Sequence, residues 1–148
     1  MSYITKRDGS QYESKRLQIA EITLSGQPAL NGYYDLSVTQ NTYDSAPTVT
    51  NSNELNLATG NYQGLINLNV TRSTNSDNYQ FQAELNGSVV GKSGQTAAYL
   101  NDVVDPAEFE ITLSSAGIVK VKCVGVESSA PTLEANQSKL WLWRVVIS

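Results

Sequence analysis

Apolar side chains return at every second position through most of this chain, and that period belongs to the β-strand. Tyr62, Gly64, Ile66, Leu68 and Val70 alternate with Gln63, Asn67, Asn69 and Thr71, so 61–71 reads as a strand with one face turned inward. The same alternation recurs in Tyr34-Leu36-Val38, Tyr79-Phe81-Ala83-Leu85, Phe109-Ile111-Leu113 and Val119-Val121-Cys123. Leu17 and Ile19 share one parity and Ile22 and Leu24 the other, which predicts a bulge near Ala20 and Glu21. Leu55 and Leu57 begin a further short strand, and KLWLWRVVI at 139–147 forms the last. No segment carries helical periodicity. Eight or so short strands divided by turn residues predict an all-β sandwich or barrel.

The punctuation agrees with that reading. Asn86-Gly87 between two apolar runs is the residue pair that a type I′ hairpin turn favours. The segments 25–32, 40–53 and 74–78 are rich in Gly, Pro, Asn, Ser and Thr and read as loops. A length of 148 residues suits one domain with a real core. That domain is expected over 17–148, because 1–16 lacks any apolar periodicity and reads as an arm. The arm is basic: Lys6, Arg7, Lys15 and Arg16 against Asp8 and Glu13 give +2, while the remaining chain sums to −6. A basic arm on an acidic body predicts docking onto an acidic surface through those four residues.

Several chemistries are excluded or weakened by what the chain lacks. With no histidine, Ser-His and Cys-His nucleophile systems and His-ligated zinc are impossible. Cys123 is the only cysteine, so there is neither an intrachain disulfide nor a Cys-rich metal site. Glu108 and Glu110 lie two apart and would share one strand face, a spacing that could serve glycoside hydrolysis. The stronger reading is two solvent-facing acids beside a buried Phe109 and Ile111. Asp102, Asp105 and the Asn-Ser-Asp-Asn run at 75–78 could supply oxygen ligands to calcium, but short Asn and Asp residues also make turns, and turns are preferred. No enzyme activity and no cofactor are expected. Nucleic-acid binding is not expected, since no basic patch interleaves with the aromatics, nor is a membrane span, since no run of 18 apolar residues occurs. Without a signal-like apolar run after Lys6 and Arg7, assembly in a cytoplasm is expected.

The order of these segments resembles a known family. Gly60-Asn61-Tyr62 opens an alternating strand, YQFQAELNG follows, then EITLSSAGIVKVKC, then an apolar strand near the end of the chain. In that arrangement Gly60, Tyr62, Asn86, Gly87, Leu113 and Gly117 match motif positions of the TNF/C1q-like jelly rolls, a resemblance covering roughly 17–148. It implies an antiparallel jelly-roll β-sandwich that assembles as a compact homotrimer and carries no enzyme activity. Short, Asn- and Thr-rich versions are similar to bacteriophage virion proteins: head decoration proteins, head fibres and tail-fibre tips. The expected function is therefore a trimeric capsid decoration (cement) or head-fibre protein, held by its arm to the major capsid protein or another virion protein. The alternative is a receptor-binding module of a tail fibre that recognises cell-surface carbohydrate.

The last strand bears on assembly. Leu140, Leu142, Arg144 and Val146 occupy one face and Trp141, Trp143, Val145 and Ile147 the other. Both faces are apolar, so one sandwich leaves a face to be covered. An unpaired guanidinium inside a sandwich is costly, which directs the tryptophans into the core and places Leu65, Leu140, Leu142, Arg144 and Val146 at the trimer interface.

Overall fold

A computed structural model describes residues 3–5, 11–13, 15–26, 31–71, 78–92, 96–97, 102–125, 132–133 and 136–147. Among these residues there are fourteen strands and no helix. In chain order they are β1 (Tyr3–Thr5), β2 (Gln11–Glu13), β3 (Lys15–Ser25), β4 (Asp35–Asn41), β5 (Thr48–Thr50), β6 (Glu54–Leu57) and β7 (Gly60–Thr71). There follow β8 (Asn78–Leu85), β9 (Ser88–Lys92), β10 (Thr96–Ala97), β11 (Asp102–Leu113), β12 (Gly117–Gly125), β13 (Thr132–Leu133) and β14 (Lys139–Ile147). β1 and β2 pair with each other. The first large sheet runs β11-β7-β14-β3-β4 with β13 also on β7, and the second runs β10-β8-β12-β6-β5 with β9 also on β8. Every pairing is antiparallel, as in a jelly roll.

The alternation read from the sequence is what fills the space between the sheets. Ala20, Ile22 and Leu24 of β3, Tyr62, Ile66 and Leu68 of β7, and Phe109 and Ile111 of β11 are buried against Phe81 and Ala83 of β8 and Val119, Val121 and Cys123 of β12. Leu85, expected in the core, packs against it and is only partly buried. The Asn86-Gly87 turn has φ of 49° and 87°, the doubly positive geometry of type I′. Segment 31–34 crosses between the sheets. Asn31 N–H donates to the Cys123 carbonyl (2.8 Å) and Tyr34 N–H to that of Val121 (3.0 Å), and the Tyr34 ring sits in the core 5.7 Å from Phe81.

Two expectations about strand faces are corrected. The β3–β4 register does shift between Glu21 and Ile22, but the residue left without a partner is Thr39, on β4. β3 therefore keeps one parity along its described length: Gln18, Ala20, Ile22 and Leu24 point inward, and Leu17 and Ile19 stay outside. The faces of β14 are the reverse of the expectation. Leu140 and Leu142 are fully buried inside this one chain, whereas Trp141, Trp143 and Val145 lie on the outer face. Leu140 and Leu142 thus cannot meet a neighbouring copy. Arg144 does not forbid this orientation, because it stands where β14 pairs with the first residues of β7, at one end of the sandwich. Lys139 shares the tryptophans' parity, and its ammonium pairs with Glu21 outside the core (3.0 Å). Arg144 and Val146 have the inner parity of the leucines, and of the expected interface set only Leu65 is on the outer face.

A glycine fixes the closest approach within the first sheet. Gly64 and Phe109 are cross-strand partners, and a Cβ on Gly64 would overlap the Phe109 ring. Gly64→Ala is therefore expected to destabilise the fold by about 1–3 kcal/mol through overpacking. Chemical denaturation of the two proteins checks this, and an unchanged midpoint would contradict the packing.

Candidate interaction surface

The two sheets present very different outer faces. On the second sheet charged and polar side chains project outward from β12 and β8 and bond to one another or to neighbours. Glu84 accepts hydrogen bonds from the Tyr33 hydroxyl (2.8 Å) and Gln82 Nε2 (2.7 Å) and pairs with Lys122 (3.5 Å). The ring of Tyr33 lies beneath two ammonium groups, Lys120 at 4.8 Å and Lys122 at 5.6 Å from its centroid, and Lys120 also pairs with Glu54 (3.4 Å). Burial raises the carboxyl pKa of Glu84, but the Tyr33 and Gln82 hydrogen bonds and the Lys122 charge outweigh it, leaving the group below its ordinary value. This face satisfies its own polar groups.

The outer face of the first sheet carries an apolar stretch on β3 and β14. Pairing sets Trp143 between Ile19 and Gln63, Trp141 between Glu21 and Leu65, and Val145 opposite Leu17. Leu17, Ile19 and Val145 are 55%, 37% and 60% exposed, three of the four large apolar side chains most open to solvent among the described residues. They adjoin one another on β3 and β14, so the exposure forms a patch. Contiguous apolar surface is where partners are sought first, which makes this patch the candidate.

Polar groups bound the patch on both sides. Toward β4, Glu21 is held by Lys139 and by the Thr39 hydroxyl (3.0 Å), and these bonds, led by the one from Lys139, keep its carboxyl below the ordinary range. Toward β11, Gln63 Nε2 donates to Glu110 (3.1 Å), with Glu108 the partner of Leu65 on the neighbouring row. Two open clefts of about 460 and 550 Å³ run along this side and share Gln63, Glu110 and Trp143 in their walls. The surface is thus a ridge of large apolar side chains on β3 and β14 beside a trough along β7 and β11. Glu108 and Glu110 are exposed on that trough, flanking inward-facing Phe109, as the alternation implied.

The remaining sequence candidates fall elsewhere. Lys6 and Arg7 lie outside the described residues, as does most of the 75–78 run. Lys15 and Arg16 belong to the backbone of β3, paired with Ile147 and Val146, so the first sandwich strand starts two residues before Leu17. Asp102 and Asp105 belong to the backbone of β11. Sequence reasoning missed Leu17, Ile19, Trp141 and Trp143 as surface residues. The signal that could have found them is the shared parity of Lys139 with the tryptophans.

No protein-family model matches the chain, and no curated protein matches it. Solved structures do. The crystal structure of murine APRIL at pH 8.0 superposes with a TM-score of 0.63 at 10% identity, covering 87% of this chain and 99% of that one. The murine APRIL structure at pH 8.5 gives 0.57 at the same identity and coverage. APRIL is a TNF-family jelly roll, so this chain has the TNF-like jelly-roll fold.

The Glu84 network sets a pH dependence. A carboxyl whose folded pKa is depressed adds stability above its unfolded pKa and loses it as pH falls through the folded value. Thermal melts of wild type and Glu84→Gln between about pH 7 and about pH 3 should therefore converge as the pH drops. Curves that stay parallel would contradict the network.

Proposed function

We propose that this chain is a structural virion protein: a homotrimeric bacteriophage capsid decoration or head-fibre protein that acts by binding and not by catalysis. The observation that carries the assembly half is the apolar patch on the outer face of the first sheet, bounded by polar groups and set on a TNF-like jelly roll. A threefold ring needs a surface that meets a different surface on the next copy. The ridge on β3 and β14 and the trough on β7 and β11 are two such surfaces side by side. The interface set is accordingly Leu17, Ile19, Leu65, Trp141, Trp143 and Val145, in place of the leucines of β14.

The attachment half is supported by charge. The N-terminal segment carries Lys6 and Arg7 ahead of a body that is net acidic, which suits docking onto an acidic shell formed by the major capsid protein or another virion protein. The composition, rich in Asn, Thr and Ser and poor in charge, supports the same reading through its similarity to phage virion proteins.

Sedimentation equilibrium tests the assembly. Wild type is expected at three times the chain mass, and Trp143→Glu, which puts a charge into the ridge, is expected as a folded monomer. A monomeric wild type, or a variant that remains trimeric, would refute the interface. Co-sedimentation with undecorated capsids tests attachment. Lys6→Ser with Arg7→Ser should weaken binding, and added salt should weaken the wild type more than the variant. Equal binding by both proteins at low salt would exclude electrostatic docking.

A further inference from the structure

One end of the core, where β3, β14 and β7 lie side by side, is polar. On the inner face Gln18 of β3 is the cross-strand partner of Arg144 of β14, and Arg144 is the partner of Tyr62 of β7. Directly opposed side chains on one face have Cβ atoms about 4.5–5.5 Å apart, so the three form a row. The Arg144 guanidinium lies 5.6 Å from the centre of the Tyr62 ring. Gly60 makes room for that guanidinium, since a Cβ there would stand 3.0 Å from Nε and 3.3 Å from Cζ. The Gly60-Asn61-Tyr62 motif therefore has a local role: its glycine clears the path of an arginine and its tyrosine supports it.

One member of this row is a donor without an acceptor, and another is a cation whose partner in the row is the neutral Tyr62 hydroxyl. Gln18 is only 2% exposed, and its Nε2 makes no hydrogen bond. An unsatisfied buried donor costs about 1–3 kcal/mol. Arg144 is half-buried and, among the described residues, has no carboxylate within ion-pair distance; the pairs formed there use Lys120, Lys122 and Lys139. Nearby hydroxyl protons are already committed: Tyr62 donates to the Ala58 carbonyl and Tyr43 to that of Leu142, each at 2.8 Å. Burial raises both phenols, so neither supplies a negative charge.

We propose that Gln18 and Arg144 form a carboxylate-binding site at this end of the sandwich. The guanidinium fork takes the carboxylate oxygens, Gln18 Nε2 donates to one of them, and the Tyr62 ring forms the floor. A carboxylate fits because it is planar, accepts without donating, and carries one charge against the one of Arg144. A phosphate dianion would bring a second charge that nothing in the row balances. The site lies on the inner face and does not depend on the trimer.

Titrating the full chain with sodium acetate, and with sodium chloride at equal ionic strength, tests this by NMR of the Gln18 and Arg144 side-chain N–H signals. Both signals should move together and saturate with acetate, and chloride should leave them in place. Gln18→Leu, which removes the orphan donor without removing bulk, should stay folded and bind acetate several-fold more weakly. Arg144→Lys, which keeps the charge and loses the fork, should weaken it roughly tenfold. The source of the carboxylate follows from two further probes. A blocked glutamyl peptide that outbinds acetate assigns a protein side chain, a blocked peptide with a free C-terminus that does so assigns a chain end, and acetate binding best assigns a small acid. Signals that follow chloride equally, fail to saturate, or respond more strongly to inorganic phosphate would overturn the proposal.

Discussion

A strand that is apolar on both faces cannot be satisfied by a single sandwich, and β14 is such a strand. Its inner face supplies Leu140 and Leu142 to the core, where both are fully buried. Its outer face offers Trp141, Trp143 and Val145 to whatever lies beyond. Antiparallel sheets ordinarily keep one face for water, and the second sheet does so with the Glu84–Lys122–Tyr33 network. The first sheet breaks that rule in one place only, along β14 and the start of β3. The two sides of the jelly roll therefore differ in what they offer to a neighbour.

The position of β14 is held by polar contacts. Ser138 is buried just before it: its hydroxyl bonds both the N–H and the carbonyl of Asn69 (3.0 and 3.2 Å), and its carbonyl accepts from Leu24 N–H (2.9 Å). The strand is thereby tied to β7 and β3 at once. Further along, Tyr43 reaches into the sandwich and donates to the Leu142 carbonyl, with its ring edge-on to Tyr62 at 6.3 Å. These anchors fix the register that turns the leucines in and the tryptophans out. They also carry Arg144 to the end of the core, beside Gln18.

Much of this was legible in the chain, because a period of two leaves few options. The strands around Phe81, Phe109 and Val121 and the Asn86-Gly87 turn follow from local pattern and are present with the expected parity. Orientation was harder where both parities are apolar. Arg144 pointed the wrong way because its cost depends on depth, and depth depends on where along the sandwich the strand ends, which no local pattern encodes. Lys139, whose ammonium pairs with Glu21 on the outer face, carried the better signal. The bulge was placed at the right height on the wrong strand, since alternation in β3 alone cannot reveal an extra residue in its partner. The Tyr33 network was out of reach for the same reason: it joins residues 51 positions apart through a bridge between Tyr33 and Lys122.

Both tryptophans of the chain lie on the outer face of the first sheet, so their fluorescence reports directly on whether that face is covered. The most direct measurement is the emission maximum and acrylamide accessibility of the wild-type protein across a dilution series, with circular dichroism followed in parallel. Coverage by further copies predicts blue-shifted, shielded emission at high concentration, giving way on dilution to red-shifted, quenchable emission while the β-sheet signal holds. Tryptophans that are solvent-exposed and freely quenched at every concentration would contradict the account.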